Sequence, residues 1–411
     1  MATYYLDGSV SSSGGGGAGT INDPFVKNSD LLQYALTMVG FTVGRGADGD
    51  KFINLDGDLP QTAPLNFGGY GNPTSQQPFY VDGSGSAGDH RTTIDLNAKT
   101  FAAWSGSDYG LGFYGLDFVN LPPASAGTNA CFQILGISSF INCSFDNSVN
   151  PNYSGQTIIN AGYRNTIIDG CTFRNVNGRG GSTGNIINFT DAFGPIQITN
   201  CFFDLVNGFT TNAVTAPRMT LLNNVFKNVN PLRQTGSAII QIKTDLYAAN
   251  NTFYSADSDI AIKIPDQNSI TYFRNNYFEG MSIAINNTTQ ESAIYNVSGN
   301  FGFNNLQAIQ PASARTFIET GNSFNLTASG LTDATNNDFT PTAELINAGF
   351  NTSAATFPTI AAPTVGAIEA QGSSPPSGGF YAPQIGGTDN AGSTAEQVTG
   401  GAYIPRLRDC K

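Results

Sequence analysis

The sequence predicts an all-β chain folded as a right-handed parallel β-helix, a solenoid of stacked rungs, and three observations carry that prediction. First, charged residues make up 12% of the 411 residues, about half the usual ~25%, and there are 48 glycines. Second, 40% of the residues are hydrophobic, with 29 Phe and 16 Tyr, which argues against disorder. Third, a short phrase recurs along the chain, as it does in solenoids.

The repeat is a four-residue phrase that ends in phenylalanine. Its clearest copies are Asn142–Phe145, Gly170–Phe173, Asn200–Phe203, Asn223–Phe226, Asn250–Phe253 and Asn275–Phe278, with weaker copies that end at Phe118, Phe301 and Phe324. The final Phe positions step by 27, 28, 30, 23, 27, 25, 23 and 23 residues. Steps of this size suit a rung of three short strands and three turns. The repeat therefore predicts at least nine rungs between about Gly115 and Phe324.

Each position of the phrase has a physical interpretation. The first holds only Asn or Gly, the residues that most readily adopt positive φ, which predicts one left-handed corner per rung. The second predicts an inward ladder in which Asn amides bond to the copies above and below. The final Phe then points into the core by the period-two rule of strands. The ladder residues are Cys143, Cys171, Cys201, Asn224, Asn251, Asn276, Asn300 and Asn322.

The residue after each Phe is expected to face solvent. These residues alternate in charge over the first four rungs, where like charges directly opposite one another would be unfavourable. They are Asp146, Arg174, Asp204, Lys227, Tyr254 and Glu279.

Three regions follow from these patterns. Residues 1–45 are expected to form an N-terminal cap with a helix near Ser29–Met38, N-capped by Ser29 or Asp30. Residues 46–370 are expected to form the β-helix. Residues 371–411 are a Gly/Pro/Ser-rich tail, interpreted either as an unstructured terminus or as a docking arm.

Both ends of the repeat resemble a known group of proteins. The start, Tyr4–Asp7 followed by Gly19–Phe25, and the end, Asn337–Pro341 followed by Ile346–Gly349 and Val365–Glu369, are similar to the opening and closing patterns of the pectate-lyase-like β-helix superfamily, including phage tailspike-type proteins. The resemblance covers roughly residues 1–370. It implies an architecture and carries no catalytic motif.

Charge excludes some classes of partner. The formal net charge is −12 with 18 Lys plus Arg, and no basic cluster is present. Nucleic-acid binding and attachment to anionic membranes are therefore disfavoured, and no apolar stretch is long enough to insert into a membrane. The N-terminus has no basic region followed by an apolar one, so we expect synthesis without a secretory signal.

Residues of the types that β-helix enzymes use are scattered. His90 is the single histidine and lies in no Gly-His-Gly segment. Carboxylates for a calcium site with a nearby basic residue occur as Asp257, Asp259 and Lys263, or as Asp191 with Arg179. A glycosidase set of acids on neighbouring rungs would draw on Asp169, Asp204 and Glu279. None of these sets stands out from ordinary rung surface, so the sequence predicts no catalytic residue and no cofactor.

The cysteines are expected to be buried free thiols. Cys143, Cys171 and Cys201 fall on consecutive rungs of one column, and a straight stack does not provide the tetrahedral geometry of zinc. Cys131 and Cys410 have no evident partner. The sequence therefore predicts no metal site.

Three functions remain open, because a fold does not decide among them. The first is a phage virion protein (a spike, fibre or capsid decoration) made in the host cytoplasm. It would dock to other virion proteins through the tail or the N-terminal cap, contact surface glycans and form a homo-oligomer such as a trimer. The alternative is a polysaccharide lyase or glycoside hydrolase of the β-helix type. The third is a secreted bacterial adhesin, which would be extracellular.

Overall fold

The structure is a computed structural model that describes residues 2–39, 50–63, 65–66, 79–85, 91–96, 101–103, 111–121, 130–134, 138–146, 157–162, 166–174, 185–190, 196–205, 212–216, 219–228, 238–242, 246–256, 260–264, 271–286, 294–310 and 316–345. His90, Arg179, Asp191, Asp257 and Asp259 lie outside these residues, as do Cys410 and residues 371–411.

Short strands account for most of the described chain. In chain order the elements are β1 (Thr3–Leu6), α1 (Leu31–Met38), β2 (Lys51–Asn54), β3 (Leu65–Asn66), β4 (Phe79–Asp82), β5 (Thr92–Asp95), β6 (Phe101–Ala103), β7 (Leu111–Tyr114), β8 (Leu116–Val119), β9 (Ala130–Ile134), β10 (Ser138–Ile141), β11 (Ser144–Asp146), β12 (Thr157–Gly162), β13 (Thr166–Asp169), β14 (Thr172–Arg174), β15 (Asn185–Thr190), β16 (Ile196–Thr199), β17 (Phe202–Leu205), β18 (Asn212–Ala216), β19 (Met219–Leu222), β20 (Val225–Asn228), β21 (Ala238–Ile242), β22 (Leu246–Ala249), β23 (Thr252–Ser255), β24 (Ile260–Lys263), β25 (Thr271–Arg274), β26 (Tyr277–Glu279), β27 (Ile283–Asn286), β28 (Ile294–Ser298), β29 (Phe301–Phe303), β30 (Gln307–Gln310), β31 (Thr316–Thr320), β32 (Leu331–Asp333) and β33 (Asp338–Pro341).

The strands stack into three long parallel sheets, which confirms the β-helix. Among the described residues sheet 1 has twelve strands from β1 to β31, sheet 2 has nine from β5 to β29, and sheet 3 has ten from β3 to β30. Each full rung visits sheet 1, then sheet 2, then sheet 3, as β7, β8 and β9 do. Parallel crossover connections are right-handed almost without exception, which is the hand predicted for this solenoid.

The corner between sheets 1 and 2 has the predicted backbone. All nine corner residues have positive φ, from 52° at Asn142 to 64° at Gly321. Asn and Gly tolerate this conformation, whereas a β-branched residue would be strained there. The chain can therefore turn with one residue per rung, and the next residue enters the core.

A phenylalanine stack fills the core behind sheet 2. Seven rings, from Phe118 to Phe278, are fully buried, and neighbouring ring centroids lie 4.6–5.2 Å apart with interplanar angles of 2–16°. That separation is close to the spacing of neighbouring strands, so each rung adds one stacked ring.

The prediction for Phe301 is wrong by one position. Phe301 pairs in register with Tyr277, so it belongs to the outward row of sheet 2, and Gly302 occupies the place opposite Phe278. Phe324 comes back over this gap, with its ring centroid 6.0 Å from that of Phe278. The core therefore stays aromatic at the last rung, although the copy Gly299–Phe301 has three residues instead of four.

At the N-terminus, β1 already pairs in parallel with β2, and α1 packs Leu31, Leu32, Ala35 and Leu36 against the end of the core. The helix starts close to its predicted position, but Asp30 does not cap it through its side chain. The Asp30 carboxylate instead accepts hydrogen bonds from the backbone of Thr62 and Ala63, at 2.7 and 3.1 Å. No helix among the described residues combines the length and apolar character needed to cross a bilayer.

After Phe324 the chain leaves the solenoid. Residues 326–345, called here the C-terminal strap, include the antiparallel pair β32–β33 and lie on the outer face of sheet 2. A second apolar cluster joins the strap to sheet 2. It consists of Val225 and Tyr277 from the sheet and of Leu331, Ala334, Phe339 and Leu345 from the strap. Part of the closing pattern seen in the sequence is thus an outer cover rather than a further rung.

Candidate functional site

The outward residues of sheet 2 do not all face solvent as predicted. Asp204 and Lys227 are only 9% and 4% exposed, because the C-terminal strap covers them. Glu279 accepts hydrogen bonds from the hydroxyls of Tyr277 and Ser329, at 2.7 and 2.8 Å. The expected alternation of charge is present, since Asp146, Arg174, Asp204 and Lys227 are consecutive register partners. Two of the six positions of this row, Asp204 and Lys227, are nevertheless buried.

The three acids considered for a glycosidase are not brought together. Asp204 and Glu279 share a row but lie three rungs apart, which is about 14 Å at the usual strand spacing. Asp169 ends β13 in sheet 1, where it accepts from Thr199 Oγ1 at 2.5 Å and from Asn200 Nδ2 at 2.8 Å. Asp169 and Glu279 have structural hydrogen-bond partners, and the three carboxylates do not form an acid pair around one substrate position.

Arg91 forms the densest charged group of the open part of sheet 2. Its Nε donates to both carboxylate oxygens of Asp117 at 3.0 Å, and its Nη1 donates to the Asn142 carbonyl at 3.0 Å. The side-chain hydrogen bond with Asp117 raises the pKa of Arg91, against the effect of desolvation. The group joins the residue before β5 to β8 and to the corner at Asn142.

The cysteine prediction is confirmed for the described thiols. Cys131, Cys143, Cys171 and Cys201 are free and buried, and desolvation raises the pKa of Cys143 and Cys171 well above the ordinary value. Such thiols are poor nucleophiles. Within the described ranges no group of three or more His, Cys, Asp or Glu side chains could hold a metal ion.

Tyrosines on the outer face of sheet 1 form a feature that the sequence analysis missed. In β22 and β25 the residues Tyr247 and Tyr272 are direct register partners, with ring centroids 5.8 Å apart. Their inward neighbours, including Leu246, Ala248 and Phe273, are fully or almost fully buried, so the two rings point outward. The sequence prediction rests on the Phe-ending phrase, and these two tyrosines lie outside it. Their alignment becomes visible only when the register of neighbouring strands is known.

Arg274 lies beside the pair of Tyr247 and Tyr272. Its guanidinium lies 5.8 Å from the ring centroid of Tyr272, within the range of a cation–π contact. Its Nε is buried and has no hydrogen-bond partner among the described residues. Desolvation raises the pKa of Tyr247, so this phenol stays protonated.

A second tyrosine group lies on the same face, nearer the N-terminus. Tyr80 and Tyr114 have ring centroids 5.3 Å apart, and the Tyr80 ring crosses over Gly112. A Cβ at Gly112 would lie 2.5 Å from Tyr80 Cδ1, so only glycine leaves room for the ring. Beside this pair Lys51 Nζ lies 2.6 Å from Asp82 Oδ2. Desolvation raises the pKa of both tyrosines.

The two groups belong to one surface, called here the tyrosine face and defined by Tyr80, Tyr114, Tyr247, Tyr272 and Arg274. The strand of Gly112 and the strand of Tyr247 are five steps apart in sheet 1, about 24 Å at ~4.8 Å per step. The intervening outward positions are Ser139, Ile167, Gln197 and Thr220. The two aromatic groups thus lie at separate places along one side of sheet 1, and of the positions between them Ser139 is fully buried whereas Ile167, Gln197 and Thr220 are half-buried.

Comparisons with known proteins concern the fold. No family model and no curated protein matches the chain. Among solved structures, a pectate lyase, Pel9A, matches with a TM-score of 0.49 and 15% identity over 90% of this chain and 97% of that one. A rhamnogalacturonan lyase matches with a TM-score of 0.40 and 14% identity over 80% of this chain and 90% of that one.

At these similarities neither neighbour assigns a substrate or a site residue to this chain. Nothing in the comparisons supports the virion role expected from the sequence. The three-sheet parallel stack itself establishes the architecture. The chain is a parallel β-helix protein.

Proposed function

We propose that this protein binds an extended polysaccharide along the tyrosine face. The observation that carries the proposal is the repetition of one aromatic group at two places on a single sheet, about 24 Å apart. A sugar ring presents an apolar C–H face and a rim of hydroxyls. A tyrosine offers the matching combination of a flat apolar ring and a polar end.

The shape of the surface favours a chain over a compact ligand. Small-molecule sites are concave and bury most of their ligand. The tyrosine face follows a row of parallel strands, and its middle residues Gln197 and Thr220 are half-buried hydrogen-bonding side chains. A linear polymer can contact both tyrosine groups at once, and two linked contacts bind more tightly than either alone.

Binding should be measured by affinity electrophoresis and calorimetry against a panel of neutral and acidic polysaccharides. Tyr272→Ala and Tyr80→Ala should each weaken binding several-fold, because a ring contact contributes about 0.5–1.5 kcal/mol. Tyr272→Phe retains the ring and serves as the matched control, which should bind nearly as well as the wild type. No binding across the panel, or binding that both alanine variants leave unchanged, would contradict the proposal.

Cleavage of a polysaccharide on another side of the solenoid, at sheet 3, is the second candidate function, and Lys263 is the observation that favours it. Lys263 lies on β24 in sheet 3, between Gln241 and Asn286 in register, and is partly exposed. A lysine on an otherwise uncharged row is a candidate base for proton abstraction next to a carboxyl group. Unsaturated product ends that vanish in Lys263→Met would support cleavage. Intact polymer after prolonged incubation with the wild type would exclude it for the polysaccharides tested.

A further inference from the structure

Lys227 is a buried lysine on the outward side of a strand. It lies on β20 beneath the C-terminal strap and is 4% exposed. Its Nζ donates to the carbonyl of Thr335 at 3.0 Å and contacts the side-chain oxygen Oδ1 of Asn337. The amine of one chain segment is thus held against the carboxamide of another, 110 residues further along the sequence.

Asn337 lies at the end of a short turn in the strap. Asn337 closes a 3-10 turn (Ala334–Asn336) in the left-handed conformation, with φ 68°, and its backbone N–H donates to Ala334. The turn begins at Asp333, whose carboxylate accepts from the backbone and side chain of Asn336, at 3.3 and 2.8 Å. Two groups held in contact by folding react as if at a very high local concentration.

The groups around Lys227 are largely withdrawn from solvent. Its register neighbour Asp204 is 9% exposed, and its carboxylate Oδ1 is buried without a hydrogen-bond partner among the described residues. Desolvation raises the pKa of Asp204 despite Lys227 and Arg174 nearby, which favours the uncharged acid. The ring of Phe339 lies over this region, 5.9 Å from Phe202 and 6.3 Å from Tyr254.

We propose that Lys227 and Asn337 form an intramolecular isopeptide bond that fastens the C-terminal strap to the β-helix. Nζ attacks Cγ of Asn337, which is bonded to the contacted Oδ1, and a new amide C–N bond forms. The bond from Cγ to Nδ2 breaks. Two protons pass from the ammonium Nζ to Nδ2, which leaves as ammonium, so atoms and charge balance without an oxidant or a cofactor. The product is one covalent link across 110 residues.

A lysine that merely caps the carbonyls of a short helical turn is the non-covalent alternative. The two differ in mass. The isopeptide removes one ammonia from the chain, whereas capping leaves the mass that the sequence dictates. The proposal does not depend on polysaccharide binding, because the strap lies on sheet 2 and the tyrosine face on sheet 1.

The test is mass spectrometry of the full-length purified protein, first intact and then after proteolysis. The wild type should lack one ammonia and yield a branched peptide that joins the segments containing Lys227 and Asn337. Lys227→Arg retains the positive charge and a donor for Thr335, and should show the full mass. Gln197→Ala removes an amide from sheet 1, away from the strap, and is the control that should keep the deficit.

Two outcomes overturn the proposal. One is a wild-type chain of full mass with no branched peptide, a result that needs no variant to fold. The other is a deficit that persists in Lys227→Arg without a branched peptide, because a succinimide at Asn337 would lose the same ammonia without using the lysine.

Discussion

The side-chain Nδ2 of Asn224 donates to Oδ1 of Asn251 at 3.0 Å, and the backbone N–H of Asn224 donates to the same oxygen at 3.0 Å. This pair is one step of a ladder that continues through Asn276 and Asn300 to Asn322, with amide-to-amide distances of 2.9–3.0 Å. Each Nδ2 also donates to a backbone carbonyl, such as Leu221 for Asn251. The ladder satisfies polar groups at the corner that the fully buried core would otherwise leave unpaired.

Removing one asparagine of the ladder should leave buried polar groups unpaired on the rungs before and after it. Asn251→Ala deletes the acceptor of Asn224 and the donor to Asn276 and Leu221 at a site with no exposure. Because unsatisfied buried groups cost about 1–3 kcal/mol each, we expect a loss of roughly 2–4 kcal/mol in the free energy of unfolding. Denaturant unfolding measures it. The control Gln197→Ala removes an amide from the outer face and should change stability by under about 0.5 kcal/mol.

The cysteines continue the same ladder with thiols in place of amides. Cys201 Sγ donates to the carbonyls of Thr199 and Ile168, at 3.1 and 3.5 Å, and its backbone N–H donates to Asn224 Oδ1 at 2.9 Å. An asparagine at position 201 can donate to the same carbonyls and add a side-chain hydrogen bond to Asn224. We therefore expect Cys201→Asn to stay within about 1 kcal/mol of the wild type, and Cys201→Ala to be less stable than Cys201→Asn. Thermal unfolding of the two variants measures the difference. A higher melting temperature for Cys201→Ala than for Cys201→Asn would contradict the prediction.

Gly112 controls the position of the Tyr80 ring. A Cβ at Gly112 would lie 2.5 Å from Tyr80 Cδ1 and 2.8 Å from Ser139 Oγ, so Gly112→Ala should push the ring off the sheet. We expect polysaccharide binding to fall by about as much as in Tyr80→Ala, while the circular dichroism spectrum stays that of the wild type. Gly14→Ala is the matched control, because a Cβ there meets no atom within 4 Å. Full binding by Gly112→Ala would show that the Tyr80 ring position is irrelevant.

The Arg91–Asp117 pair should make stability depend on acid pH. Desolvation acts to raise the pKa of Asp117, but hydrogen bonds from Arg91 and Ser144 outweigh it and hold the pKa below its ordinary 3.8. A carboxyl with a lowered folded-state pKa stabilises the protein above its unfolded pKa, and that contribution is lost as the pH falls through the folded pKa.

Arg91→Met should therefore be destabilising at pH 6, and its difference from the wild type should shrink as the pH falls below about 3.8. Urea unfolding across this range measures the effect. Lys263→Met removes a cation that makes no ion pair among the described residues, so its difference should stay flat with pH. A difference for Arg91→Met that does not change with pH would show that the pair does not hold the Asp117 pKa down.

Much of the core was predictable because it repeats. Positive φ at Asn142, inward burial of Phe145 and the amide chain beginning at Asn224 are each local consequences of a residue type at a corner, and stacking copies the same solution onto every rung. The misplacement of Phe301 has the same origin. Its phrase lacks one residue of spacing, and only the strand register shows that Gly302 takes the core position.

The outer surfaces were not predictable in this way. Lys227 follows a core Phe as Arg174 does, and a period-two pattern assigns both to solvent. The Lys227 side chain is instead buried, because a segment more than a hundred residues away covers it. An apolar row that includes Phe202, Val225, Tyr277 and Phe301 on the outward side of sheet 2 was the signal for this cover.

By itself, therefore, the sequence determined the solenoid, its corner, its amide ladder and its aromatic core, because these depend on contacts between neighbouring rungs at nearly constant spacing. The tertiary structure alone decided which outer rows are open. It brought the strap onto Asp204 and Lys227, and it aligned Tyr247 with Tyr272 and Tyr80 with Tyr114 on one face. Lys227 and Asn337 are 110 residues apart, a separation that follows no repeat. Tyr247 and Tyr272 are one rung apart, but they lie at positions that the Phe-ending phrase does not include, so only the strand register aligns them.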